Sequence, residues 1–100
     1  MSRYTVYVTP ETFQAIKELP GNIRQRIRRE IQGLSDNPRP FQSKRLDLPD
    51  VEAEVWRLRL DNRRILYAID EFQGIVDVLA VRKRPPYDYG DLEELLEDLE

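Results

Sequence analysis

The sequence contains no cysteine and no histidine. The first absence excludes disulfides, thiol nucleophiles and thiolate metal sites. The second removes the side chain that titrates nearest neutral pH and the commonest ligand of transition metals. There is also no glycine-rich phosphate loop, no serine-centred elbow and no metal-spaced set of carboxylates. Any chemistry therefore falls to Arg, Lys, Tyr, Ser/Thr or carboxylates, with no metal and no other cofactor expected. No apolar run approaches the length of a membrane span, and Met1-Ser2-Arg3-Tyr4 lacks the apolar core of a signal peptide. The expectation is a cytoplasmic protein that does not engage a membrane.

What is present is charge, unevenly spread. The net value of −3 hides an acidic end: Asp91, Glu93, Glu94, Glu97, Asp98 and Glu100 crowd the last ten residues without a Lys or Arg. Taking those six from the 19 acids leaves 13 against 16 bases, so residues 1–90 carry +3. A mildly basic body with an acidic tail suits a body that meets phosphate. One hundred residues make a single domain, 1–100, whose modest core leaves room for a bound partner to add stability.

Arg3–Val8 is β-branched and aromatic and reads as a strand. Thr9-Pro10-Glu11 is a helix start: a capping hydroxyl, a first-turn proline and an acid. The helix behind it carries Phe13, Ile16 and Leu19 on one face until Pro20-Gly21 breaks it. From about Asn22 to Leu34, Ile23, Ile27, Ile31 and Leu34 form one stripe, with Arg24, Arg26, Arg28 and Arg29 on the other faces. Those four arginines read first as solvation and second as a partner surface. Ser35-Asp36-Asn37-Pro38 ends the helix, and a polar connector runs from Phe41 to Asp50.

Val55-Trp56-Arg57-Leu58-Arg59-Leu60 then alternates strictly, which puts Arg57 and Arg59 on the face opposite Trp56, Leu58 and Leu60. Asp61-Asn62 is hairpin chemistry, and Arg64–Ile69 is the return strand. Glu71-Phe72-Gln73-Gly74 turns again into Ile75–Val81, the most apolar strand and therefore the expected centre. Leu92, Leu95, Leu96 and Leu99 predict a short helix from about Asp91. The fold class is α+β, in the order β-α-α-β-β-β-α: a largely antiparallel sheet with an N-terminal helical hairpin on one face and a short C-terminal helix. The face bearing Arg57 and Arg59 is expected to be the less covered one.

Two constellations stand out. Arg57, Arg59, Arg63 and Arg64 concentrate planar guanidinium forks suited to phosphate, although a wet sheet face also alternates polar with apolar residues. Arg82-Lys83-Arg84-Pro85-Pro86-Tyr87-Asp88-Tyr89 places cations and aromatic rings together, as a single-stranded nucleic acid requires. The bland reading is a charged strand end with tyrosines that anchor the last helix.

The element order, Val55–Leu60, Arg63-Arg64-Ile65-Leu66-Tyr67, and Val81-Arg82-Lys83-Arg84 with a tyrosine soon after resemble the RelE/ParE toxins over nearly the whole chain. In the RelE branch the resemblance implies metal-independent cleavage of mRNA on the ribosome, in which the messenger's own 2′-hydroxyl attacks the adjacent phosphate. It implies catalytic roles for Arg57, Arg59, Arg64, Arg84 and either Tyr87 or Tyr89, with Tyr89 nearer the expected offset. Arg63, Arg82 and Lys83 would add RNA and ribosome contacts. Some members carry lysine where Arg57 and Arg59 stand. A guanidinium stays protonated, so proton removal would fall to a tyrosine, to a carboxylate such as Asp88, or to electrostatic assistance. The resemblance further implies a cognate antitoxin in a hetero-oligomer, with operator DNA reached only through that antitoxin. Its other branches imply a ParE-like inhibitor of DNA gyrase, or an inactive member that only binds its antitoxin.

Overall fold

The computed structural model describes residues 3–48 and 52–83. Strand β1 (Thr5–Val8) leads into helix α1 (Pro10–Lys17) and helix α2 (Gly21–Gly33). Strands β2 (Ser43–Arg45), β3 (Glu54–Leu60), β4 (Arg63–Asp70) and β5 (Ile75–Lys83) follow. The α+β class and the helical hairpin agree with the sequence reading. The helix expected from about Asp91 lies outside the described residues.

The α1 start shows why this stretch folds as it does. Thr9 is extended, its Oγ1 accepts the Thr12 N–H at 3.3 Å, and Pro10 occupies the first turn. The Thr12 hydroxyl then donates to the Leu79 carbonyl at 2.8 Å, which ties the helix start to β5. Phe13 departs from expectation. It is exposed, while Thr12 and Ile16 are the buried positions of α1.

The sheet order is β1-β5-β4-β3-β2, with β1 parallel to β5 and the other pairs antiparallel. Two expectations are corrected here. The polar connector contains β2, a three-residue edge strand whose Lys44 and Arg45 keep that edge charged. The central strand is β4, not β5: Arg64 to Ile69 are all buried, the mark of a strand covered on both faces. A bulge between Leu66 and Tyr67 leaves Leu79 as the extra residue of β5, since Leu66 pairs with Ala80 and Tyr67 with Val78.

One sheet face packs Leu58, Ile65, Tyr67, Ile69, Val76 and Val78 under Ile16, Ile27, Ile31 and Leu34 of the helical layer. The opposite face is less bare than its sequence suggests. Val55, Leu66, Ala68 and Leu79 are buried there, with Leu46 and Leu48 from the chain after β2 packed against them. The Leu46 N–H donates to the Val55 carbonyl at 2.9 Å and holds that segment in place. No helix among the described residues is long and apolar enough to cross a membrane.

Tyr67 has no exposed surface, and its hydroxyl donates to the Pro38 carbonyl at 2.7 Å, pinning the chain after α2 to the central strand. Burial pushes this phenol up to about 12. The folded value lies above the ordinary one of 10.0, so the stability tied to the neutral phenol is complete below about pH 10 and is lost towards pH 12. Tyr67→Phe is expected to cost about 1–2 kcal/mol at neutral pH, because it strands a buried carbonyl. It should also remove this residue's share of the alkaline loss. Urea unfolding of both chains across that pH range measures both effects.

Candidate functional site

Strand register decides which basic side chains meet. Arg59 lies opposite Arg64, and Arg64 lies opposite Arg82, so three arginines form one row across β3, β4 and β5. In the next row on the same face, Lys44 of β2 lies opposite Arg57, which lies opposite Leu66. Further along, Val55 and Asp77 flank Ala68, and Asp70 pairs with Ile75. The face therefore grades from cations at the Asp61–Asn62 end, through an apolar middle, to carboxylates at the Gly74 end.

The acidic end suits no phosphate. A hollow of about 770 Å³ there is lined by Tyr7, Glu52, Asp70, Glu71 and Asp77 among others. Burial, and then the charge of Asp70, hold the Asp77 carboxyl above its ordinary range. Beyond it, Arg39 bridges Glu54 and Glu71 at 2.6 Å each, and Tyr4 donates to Glu71 at 2.8 Å. Arg39, with Tyr4 beside it, keeps the Glu71 carboxyl below its usual range. The guanidinium of Arg39 also lies over the Trp56 ring, 5.8 Å from its centroid. This cluster is a brace between the residue before β1, β3, the β4–β5 turn and the chain after α2.

At the basic end the cations differ in how committed they are. Arg59 and Lys44 are exposed and Arg57 is half-buried. None of the three makes an ion pair or a side-chain hydrogen bond among the described residues. Arg64 is only 5% exposed. Its Nη1 donates to the Asp61 carbonyl at 3.2 Å and to the Arg63 carbonyl at 2.9 Å, so it grips the β3–β4 turn from beneath. Asp61 takes a positive φ of 55° in that turn, and its carboxylate pairs with Arg26 of α2. Directly opposed like charges cost energy in a sheet, and an anion laid across them would offset that cost.

Arg63 and Lys83 pair with each other, and the alternation sends them to the helix-covered side. Arg63 there lines a small cleft with Ile23, Arg26 and Leu60. The sheet thus separates these two from the row of Arg59, Arg64 and Arg82. Arg84, Tyr87 and Tyr89 lie outside the described residues. Of the α2 arginines, Arg26 is paired with Asp61, and Arg24 donates to the Lys17 carbonyl at 3.2 Å. Two residues that the sequence reading leaves out belong at this end. They are Lys44, opposite Arg57, and Phe41, next to Gln42, whose carbonyl accepts the Arg59 N–H at 3.3 Å. No local pattern points to either, because β2 is only three residues long and its pairing with β3 is set by register.

Comparison with known proteins gives a consistent picture. A family model described as the ParE toxin of the type II toxin–antitoxin system parDE matches residues 6–85. Among solved structures, the archaeal RelE–RelB complex from Pyrococcus horikoshii OT3 is similar with a TM-score of 0.74 at 21% identity, covering 84% of this chain and 98% of that one. The RelBE2 toxin–antitoxin complex from Mycobacterium tuberculosis is 28% identical, with a TM-score of 0.69 over 82% of this chain and 99% of that one. A mutant of Escherichia coli RelE in the free state shares 15% identity, with a TM-score of 0.70 and full coverage of both chains. No curated protein resembles the sequence closely enough to count as a match.

Proposed function

The chain belongs to the ParE toxin family, within the RelE/ParE superfamily of type II toxin–antitoxin toxins, and from that premise we propose that it is a metal-independent endoribonuclease that cuts mRNA on the ribosome. The observation that carries this reading is the pair Arg57 and Arg59, cations without a partner among the described residues, on the same face as Lys44, Arg64 and Arg82. A fold that needed only a wet surface would gain nothing from directly opposed arginines.

In this mechanism the 2′-hydroxyl oxygen of the message attacks the adjacent phosphorus. The new O–P bond forms as the bond to the 5′-oxygen breaks, leaving a cyclic phosphate and a free 5′-hydroxyl. Arg57, Arg59 and Arg82 stabilise the charge that grows on the phosphoryl oxygens. Arg64 acts through the turn that it grips, as a positioning residue. Arg84, with Tyr87 or Tyr89, remains part of the proposed site. Lys83 and Arg63, on the helix side, are assigned to ribosome contact. DNA lacks the attacking hydroxyl and escapes this route.

A cognate antitoxin is the expected protein partner, in keeping with the RelE–RelB and RelBE2 complexes to which the chain is similar. Operator DNA would be met through that antitoxin. The matched family model carries the ParE description and so favours a second reading, gyrase inhibition by binding alone. Inducing the chain in cells and mapping message ends by primer extension separates the two. Codon-phased cuts are expected. Growth arrest with intact messages and gyrase-linked DNA damage would overturn the nuclease in favour of the second reading.

A further inference from the structure

Two phenylalanines stand almost wholly in solvent: Phe41 is 100% exposed and Phe72 is 99% exposed. Their surroundings differ. Phe72 lies in the β4–β5 turn beside Glu71, at the acidic end, where a phosphodiester would be repelled. Phe41 lies at the basic end, one residue from the carbonyl that holds Arg59 and three from Lys44, itself opposite Arg57.

The backbone that presents Phe41 is fixed from several directions. Pro38 and Pro40 restrict it locally. The Tyr67 hydroxyl holds Pro38, and Ser43 donates to the Pro40 carbonyl from both its N–H at 2.9 Å and its hydroxyl at 2.6 Å. The Arg39 N–H donates to Asn37 Oδ1 at 3.1 Å, and the Arg39 side chain bridges Glu54 and Glu71. A ring carried on a backbone held this firmly, yet itself left in water, contributes nothing to the core. It does offer a binding partner an aromatic surface whose backbone order is already set.

We infer that Phe41 is a stacking platform for an unpaired base of the message, presented by the turn that leads into β2 and its exposed Lys44. Rings that stack bases next to cations that neutralise phosphates are the usual recognition elements for single-stranded RNA. An apolar segment of a protein partner could also cover an exposed ring, but the charge around Phe41 favours a polyanion. The inference rests on the nuclease reading and names a specificity contact for it.

The test uses the full chain, freed of its antitoxin, and ribosomes programmed with a message whose 2′-hydroxyls are methylated so that it binds without being cut. Phe41→Ala is expected to weaken binding roughly 5- to 150-fold, the usual worth of one stacked base. Phe41→Leu should lose as much, while Phe41→Trp should bind close to the unsubstituted chain. On ribosomes without message all four chains should bind alike. Thermal unfolding should be the same in all, since the ring is exposed. Equal binding of Phe41→Ala to programmed ribosomes would overturn the inference. So would a loss that persists without message, which would mark a contact to the ribosome itself. Retention by Phe41→Leu would point to a protein partner instead. If the unsubstituted chain ignores ribosomes altogether, the nuclease reading falls and takes this inference with it.

Discussion

Exchanging Arg57 and Arg59 together for glutamine is expected to lower message cleavage by roughly 10²–10⁴-fold, at about 1.5–3 kcal/mol for each charge-assisted hydrogen bond to the phosphate. Stability should barely move. Neither side chain holds anything among the described residues, and surface substitutions away from packing or bonding features usually stay within about 0.5 kcal/mol. Ribosome affinity should also become less sensitive to salt, by about 0.7 in the log–log slope for each phosphate no longer neutralised. Arg29→Gln on the outer face of α2 is the control, since it removes one charge from the opposite layer and should leave cleavage unchanged. Primer extension on induced cells measures cleavage, thermal unfolding of the purified chains measures stability, and ribosome binding at several salt concentrations measures the slope. Full cleavage by the double variant would remove the site from this face.

Arg64→Ala is expected to behave differently, with stability and cleavage falling together. The two turn carbonyls that accept from Nη1 are deprived of a charged donor, which costs about 1–3 kcal/mol. For a domain of this size that is a fall of roughly 5–20 °C in Tm. Cleavage should fall with it, because the same turn sets the positions of Arg59 and of the chain entering β4. Arg64→Lys keeps the charge but not the planar fork, so it should recover little of either. If Arg64→Ala abolished cleavage with Tm unchanged, Arg64 would have to touch the substrate directly. The pair of experiments thus separates cations that meet the message from the one that shapes their platform.

The sequence makes part of this legible for reasons that can be named. Strict alternation in Val55–Leu60 assigns Arg57 and Arg59 to one face, and the structure agrees. Thr9-Pro10 marks the α1 start because its chemistry is local, and Ile27, Ile31 and Leu34 fall on one buried stripe. What stays hidden is set by partners distant in sequence. β2 is too short and too charged to show a period, so nothing local announces Lys44 opposite Arg57. The Leu79 bulge shifts the alternation of β5, and register rather than local pattern aligns Arg82 with Arg64. The burial of Arg64 follows from its place at the head of the central strand. The near-unbroken apolar run from Ile65 to Ile69 is the signal for that centre, but Ile75–Val81 looks more apolar and draws the assignment.

The parallel pairing of β1 with β5 also has a consequence for how the molecule comes into being. Among the described residues, Thr5 to Val8 find their sheet neighbour only in Ile75 to Val78. During synthesis the first strand must wait, unpaired, until nearly all the described chain has left the ribosome. The row containing Arg82 cannot form before then. Pairings this distant in sequence also form late in folding. A protein proposed to attack ribosomes therefore stays unassembled at least until Ile75 to Val78 have emerged from the one that makes it.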